Sequence, residues 1–216
     1  MPDASLLTQA LSVGAAPVAS PAELRSRAAF LALLWALSYP GRIQELPSDA
    51  AGASPDTRSA LLTVAETVLD LETSFFTPDD ALAGLLARSG ARALPAHEAA
   101  YHFYPALDAR TLDLVAQARV GSYLYPDQAA TLILGCRLSK GTRLLLQGPG
   151  IAGQAELLVD GLPSALWALR AEKASYPLGW DIFLVDGTRV AGLPRTTVLR
   201  PLEPVPGENA PAGKGA

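Results

Sequence analysis

One segment restricts what this chain can become more than any other. Tyr176–Thr197 reads Y-P-L-G-W-D-I-F-L-V-D-G-T-R-V-A-G-L-P-R-T-T. Two strand-like runs flank Asp186-Gly187, the strongest short-range hairpin signal a sequence offers, because the tight turn needs positive φ at its central residues. An antiparallel pair is therefore expected here, and any sheet that contains it cannot be purely parallel. The run ends in Pro194-Arg195-Thr196-Thr197, a polar ending that the hairpin itself does not require.

The rest of the chain reads as helices first and then strands mixed with helices. Ser20-Pro21-Ala22-Glu23 is a helix start: Ser20 caps, Pro21 fits the first helical position and Glu23 completes a capping box. Leu24, Ala28, Leu31 and Trp35 then share one face, with Phe30, Leu34 and Leu37 beside it, and Pro40-Gly41 stops the helix. Residues 44–54 read as a polar loop, and Ser54-Pro55 as the start of a second helix carrying Leu61, Leu62, Ala65 and Leu69. Thr77-Pro78-Asp79-Asp80 opens a third, with Leu82, Leu85 and Leu86 inward and an end at Gly90. Asp79 and Asp80 fall in its first turn, where the helix dipole favours acids; adjacent residues diverge on a helix, so capping is the reading, not a carboxylate pair.

Beyond this, Glu98–Tyr104 reads as a strand and Thr111–Ala118 as a short helix. Thr131–Leu138 and Thr142–Gln147 read as strands joined by Ser139-Lys140-Gly141. Ala155–Val159 is a further strand, Pro163–Lys173 a helix with Leu166 and Leu169 inward, and Thr196–Leu199 a last short strand. Residues 1–19 are expected to form a flexible arm, 20–200 a single α/β domain and 201–216 a disordered tail.

Composition removes several function classes. The 216 residues carry 17 basic and 21 acidic side chains for a net charge of −4, and no basic run is present, which argues against nucleic-acid binding. A half-hydrophobic chain of this length can bury about 70% of its unfolded surface without staples. Its one cysteine, Cys136, excludes an intramolecular disulfide and cysteine-based metal clusters, and reads as a small buried hydrophobe. The longest apolar stretch, Ala28–Tyr39, is short of the roughly 20 residues of a membrane span. The start of the chain lacks the basic region of a secretory signal, so a cytoplasmic protein is expected.

Few residues suggest chemistry. His97 and His102 are its two histidines, and on a continuous strand that spacing puts them on opposite faces, poor geometry for a shared metal. Gly148-Pro149-Gly150-Ile151-Ala152-Gly153 is glycine-rich, but Pro149 removes a backbone donor that a phosphate cradle needs and no Walker A pattern is present, so a chain reversal is the reading. Arg195 beside Thr196 and Thr197 is the best candidate for holding a phosphonate or phosphate, a guanidinium fork next to two hydroxyls. The alternative is an arginine at a strand entry that pairs with Asp181, with Asp186 or with a partner subunit. Asp186 itself reads as turn chemistry. Lys140 lies in a turn, Lys173 near a polar helix end and Lys214 in the tail, so no lysine offers the desolvated amine of a Schiff-base site.

Three blocks together resemble one family. They are the Tyr176–Thr197 hairpin, the run Pro126–Gly153 (P-D-Q-A-A-T-L-I-L-G-C-R-L-S-K-G-T-R-L-L-L-Q-G-P-G-I-A-G), and the helix Phe30–Ile43 with its Ser-x-Pro-Gly end. In this order they resemble the H subunit (PhnH) of carbon–phosphorus lyase, the bacterial system that degrades phosphonates. The resemblance implies a three-layer α/β/α sandwich with a mixed sheet, similar to the pyridoxal-phosphate-dependent transferase fold without its cofactor site. It implies a non-catalytic or auxiliary subunit with no cofactor, catalytic residue or metal of its own. Partners would be the G, I and J subunits and a second copy in a homodimer, with no nucleic acid or membrane. The function implied is support of ribose 1-methylphosphonate 5-triphosphate formation in phosphonate catabolism. A stand-alone phosphonate- or phosphate-binding protein or small-molecule enzyme using Arg195 is the competing reading. The chain departs from the family pattern at Leu31, where arginine often follows the phenylalanine; Arg27, one turn earlier, could substitute.

Overall fold

A computed structural model describes residues 19–48 and 56–202. Helix α1 (Pro21–Ser38) starts at the expected capping box, Ser20 and Glu23 each bonding the other's backbone, and ends at Tyr39. Strand β1 (Gln44–Glu45) interrupts the region expected to be loop. Helix α2 (Thr57–Val68) is capped by Asp56, whose side chain accepts from the Ser59 amide. The expected start at Ser54-Pro55 falls outside the described residues, and Leu69 is the residue after the helix. Strand β2 (Ser74–Phe76) and helix α3 (Asp80–Leu86) follow. Asp79 caps α3 through the Leu82 amide at 2.8 Å, so this acid does the capping expected of it.

The remaining elements are β3 (Arg92–Ala93), β4 (Tyr101–Tyr104), α4 (Ala109–Val115), β5 (Thr131–Gly135), β6 (Arg137–Gln147), β7 (Ala155–Asp160), α5 (Ala165–Lys173), β8 (Asp181–Asp186), β9 (Arg189–Leu193) and β10 (Val198–Leu202). They build a seven-stranded sheet, β1-β9-β8-β5-β4-β2-β3, and a three-stranded sheet, β10-β6-β7. The β3-β2-β4-β5-β8 portion is parallel; β8–β9 and β9–β1 are antiparallel. The mixed α/β sheet expected from the hairpin is present.

Two sequence expectations need correction. Only Gly187 in the hairpin turn has positive φ (57°), and Asp186 still pairs with Arg189 across the ladder. The central residues are therefore Gly187-Thr188, with glycine leading as in a type II′ turn. Thr131–Leu138 and Thr142–Gln147 do not face each other either. β5 is an interior strand between β4 and β8, while Ser139-Lys140-Gly141 is a bulge within the single strand β6. Serine and glycine at positive φ there (70° and 84°) make the bulge possible, and a bulge and a turn use the same residue types.

Alternation along the central strands divides the core. Phe103, Ile133, Phe183, Val185 and Val190 face α1, α2 and α3, whose Ala29, Ala32, Leu33, Leu61, Val64 and Leu82 fill that side. Tyr104, Leu132, Leu134, Ile182, Leu184 and Leu193 face the other way, onto Leu144, Leu146, Leu157 and Val159 of the small sheet, Val115 of α4 and Leu166 and Trp167 of α5. The second covering layer is thus part sheet and part helix, where helices alone were expected. Cys136 lies in this second core, and burial pushes its thiol up to about 12, the inert hydrophobe expected.

Helix α1 does not seat the face its periodicity marks. The buried residues are Ala29, Ala32, Leu33 and Ala36, while Leu24, Phe30, Leu31, Leu34 and Trp35 are exposed. The cause is a close approach at Gly192 of β9: a Cβ there would lie 2.5 Å from the carbonyl carbon and oxygen of Ala36. At that separation alanines fill the gap between helix and sheet, with Leu33 beside them, and the other large side chains point away. Gly192→Ala should therefore lower the unfolding free energy by about 1–3 kcal/mol through overpacking. Urea unfolding should show it as a lower midpoint with an unchanged slope.

Candidate functional site

Arg195 follows β9 directly, beyond Pro194, and Asp181 opens the neighbouring β8. The ladder pairs Ile182 with Leu193, so the hairpin's geometry brings these two residues together. Arg195 donates from its backbone amide to Asp181 Oδ1 (2.8 Å), from Nε to both carboxylate oxygens (3.3 and 3.2 Å) and from Nη2 to Oδ2 (2.7 Å). Its Nη1 donates to the Pro126 carbonyl (2.6 Å) and to the Pro177 carbonyl (3.5 Å). Every nitrogen of the guanidinium thus has an acceptor within the chain. The side chain is 16% exposed and that of Asp181 25%, so the pair is substantially shielded from water.

Arg170 on α5 converges on the same place. It is buried, and its Nη2 donates to the Pro194 carbonyl at 2.7 Å, the oxygen that also accepts from the Thr197 amide at 2.9 Å. Desolvation lowers its pKa to about 10, an effect that the charge of Asp181 opposes. Thr197 is buried with no partner for Oγ1, and Thr196 is half-buried. Of the three residues the sequence brought forward, Arg195 is bound by the chain's own acceptors and Thr197 is internal. Arg170 was missed because its only signal was a cation in the last turn of α5, where cations commonly stand.

This cluster is at the edge where β5 and β8 begin, since Asp181 pairs with Thr131. Ligands of open α/β sheets gather at the opposite, carboxyl edge. On that edge Asp186 accepts from the Leu138 amide at 2.9 Å and pairs with Arg189, which also reaches the Leu138 carbonyl at 3.2 Å. The turn carboxylate therefore anchors the hairpin to β6. A cavity of about 340 Å³ adjoins Gly187 and Thr188, lined also by Leu46, Ser59, Thr63 and the ion pair Arg25–Glu66 at 3.5 Å.

The other candidates separate. His97 is exposed beside Glu98 at 3.2 Å, while His102 is fully buried with Nδ1 3.3 Å from the Tyr104 hydroxyl and Nε2 without a partner. Among the described residues no cluster of His, Cys, Asp and Glu has the makings of a metal site. Lys140 is exposed in the β6 bulge, and Lys173 lies 3.7 Å from Glu172. The Gly148–Gly153 loop reverses the chain between β6 and β7 and packs on the end of α1. A Cβ at Gly150 (φ 80°) would lie 2.2 Å from the Ser38 carbonyl, so glycine is required there both by conformation and by proximity. No helix among the described residues is long and apolar enough to cross a membrane.

The chain thus folds as a mixed α/β protein whose central hairpin is braced at its open end by the Arg195–Asp181 pair. Comparison with known proteins places it. Residues 19–200 match the family model described as "Bacterial phosphonate metabolism protein (PhnH)", and the chain belongs to that family. It is 39% identical over 176 residues to the "Putative C-P lyase subunit protein HtxG" of Stutzerimonas stutzeri, covering 80% of this chain and 85% of that one. It is 38% identical over 87 residues to the "Alpha-D-ribose 1-methylphosphonate 5-triphosphate synthase subunit PhnH" of Rhizobium meliloti (strain 1021), covering 38% of this chain and 42% of the relative.

Two outcomes follow from the geometry. Arg195→Met should strand Asp181 and release the Pro126 and Pro177 carbonyls, at about 2–4 kcal/mol of stability; denaturant unfolding would read the loss. His102 is held at about 4, chiefly by burial and with help from the charge of Arg119, against 6.5 when free. The unfolded chain therefore takes the proton first. Stability is whole above pH 6.5, falls as pH drops through the window and is reduced by about 3 kcal/mol below pH 4. Unfolding measured across that range should show a shallower pH slope for His102→Leu than for the parent.

Proposed function

We propose that this chain is a non-catalytic subunit of a carbon–phosphorus lyase assembly, supporting formation of ribose 1-methylphosphonate 5-triphosphate during phosphonate catabolism in the cytoplasm. Residues 20–200 act in it as one domain, of the pyridoxal-phosphate-transferase type without the cofactor site, joined to the G, I and J subunits and to a second copy. Family membership over residues 19–200 supports the subunit reading, as do two relatives that carry the word subunit in their names.

The observation that carries the non-catalytic part is the state of Arg195. The best anion-binding fork in the sequence is spent on Asp181, Pro126 and Pro177. A phosphonate would have to displace a bidentate carboxylate within covalent reach of the same hairpin, which gives the competing stand-alone binding reading little to work with. Arg195, Thr196 and Thr197 instead shape the loops that a partner would meet.

Co-expression of the tagged chain with the G, I and J subunits of its own organism, followed by affinity purification and mass determination, tests the reading. A stoichiometric complex is expected. Recovery of the chain alone, with all partners expressed and soluble, would sink it. Arg195→Met should leave the isolated chain's response to methylphosphonate in isothermal calorimetry as null as the parent's; a signal in the parent that the substitution abolishes would favour the binding-protein reading.

A further inference from the structure

We propose that the cavity between α1, α2 and the β8–β9 turn binds a small zwitterion, an ammonium joined by a short spacer to a phosphonate or carboxylate. Arg25 takes the anionic end and Glu66 the cationic one. The site goes beyond the subunit reading above and does not depend on it.

The cavity lies where an open α/β sheet leaves room. Gly187 and Thr188 come just past the carboxyl end of β8. Helix α2 starts over the carboxyl end of β5, where a Cβ at Gly135 would lie 2.5 Å from Thr57 Cγ2. Ligands of such sheets gather at this edge. The volume of about 340 Å³ is at the small end of the roughly 300–1,000 Å³ of small-molecule sites, which favours a compact ligand. Leu46 is buried and gives the cavity an apolar wall, and its amide donates to the Thr188 carbonyl at 2.6 Å, which fixes the turn against that wall.

The polar residues are sorted by charge. Ser59, Thr63 and Glu66 follow one another at steps of four and three, which puts them on one face of α2. Thr63 Oγ1 gives its proton to the Ser59 carbonyl at 3.3 Å, so what it offers the cavity is lone pairs. Beside the Glu66 carboxylate they make the α2 wall a place for a cation. Arg25 reaches over from α1 with the opposite charge, its Nη2 3.5 Å from Glu66 Oε2. That is long beside the roughly 2.7–2.9 Å of a close charge-assisted bond. The two side chains are 31% and 59% exposed. An ion pair so open contributes little to the fold, and opening it to admit a ligand costs correspondingly little.

The two charges select the ligand. A bare phosphonate would gain Arg25 and meet the repulsion of Glu66, and a bare amine would meet the reverse. A neutral molecule would open the ion pair and replace it with nothing charged. A molecule that carries both charges close together exchanges one loose ion pair for two of its own, and the Thr188 hydroxyl stands at the rim as a further donor to its anion. Methylphosphonate lacks the cation, so the null response expected of it above is consistent with this site.

Saturation-transfer NMR of the full chain with 2-aminoethylphosphonate and with β-alanine, each at millimolar concentration, tests the site. At least one is expected to bind, and which one binds identifies the anionic group. Methylphosphonate, ethylamine and ribose, which lack one charge or both, should not. Glu66→Gln should weaken the zwitterion by about tenfold, the scale of a lost charge-assisted contact. It should also admit methylphosphonate, since the repelling carboxylate is gone. Arg25→Gln should weaken the zwitterion as much and admit no methylphosphonate, a split that a merely structural role would not produce. Both side chains are partly exposed, so circular dichroism should not change. Should Arg25→Gln unfold, Glu66→Gln decides. A parent that binds neither zwitterion overturns the proposal, as does one that binds methylphosphonate or ribose equally well. Zwitterion binding that both variants leave intact puts the ligand elsewhere and overturns it too. Recovery of the G, I and J subunits bears on none of these outcomes, so the site and the subunit reading fail separately.

Discussion

The close approach of α1 to β9 is the constraint from which much of the structure follows. With no side chain at Gly192, the helix backbone comes down until Ala36 meets the strand, and a Cβ at that glycine would overlap it. The helix can then offer the sheet only alanines and Leu33, so its bulky residues are left outside. The approach also sets where α1 ends: Ser38 lies over Gly150, which ties the β6–β7 loop of the small sheet to the helix on the far side of the core. One glycine thus fixes the helix depth, and a second couples the two sheets through the helix's end.

The hairpin β8–β9 is the other organiser, and it works at both of its ends. At the turn, Asp186 holds Arg189 and the Leu138 amide, binding the large sheet to β6. At the open end, Asp181 holds Arg195, which reaches Pro126 and Pro177, and Arg170 reaches Pro194 from α5. Each carboxylate sits on the strand and each arginine just beyond it or across the ladder, so the pairs form as soon as the register does. Removing one partner leaves a shielded charge uncompensated, which costs far more than an exposed ion pair contributes.

Much of this was legible in the sequence, and the misses have physical causes. Local signals read well: the Ser20 capping box, the Asp79 cap, the Asp-Gly hairpin and the buried Cys136 each depend on neighbours within a few residues. Non-local pairing did not read. Ser139-Lys140-Gly141 carries the composition of a turn, and nothing within the segment shows that β5 pairs with β4 and β8 while β6 joins another sheet. Thr197 looked like a hydroxyl ready for a ligand; it is internal because β10 folds back onto β6. For Arg195 the sequence offered the Asp181 pairing beside the anion-binding one, and only the ladder register chooses between them.

Helix α1 shows why periodicity alone cannot assign a face to a core. The stripe of Leu24, Leu31, Leu34 and Trp35 satisfies the pattern of an amphipathic helix, and the opposite face, Ala29, Ala32 and Ala36, satisfies it only weakly because alanine is small. Burial is decided by how near the neighbouring backbone lies, and that is set 156 positions after Ala36, at Gly192. Large apolar residues turned to water by such a constraint are stable to the fold but leave hydrophobic surface that association would cover. The same glycine that packs the core tightly is thus what leaves the large side chains of α1 exposed.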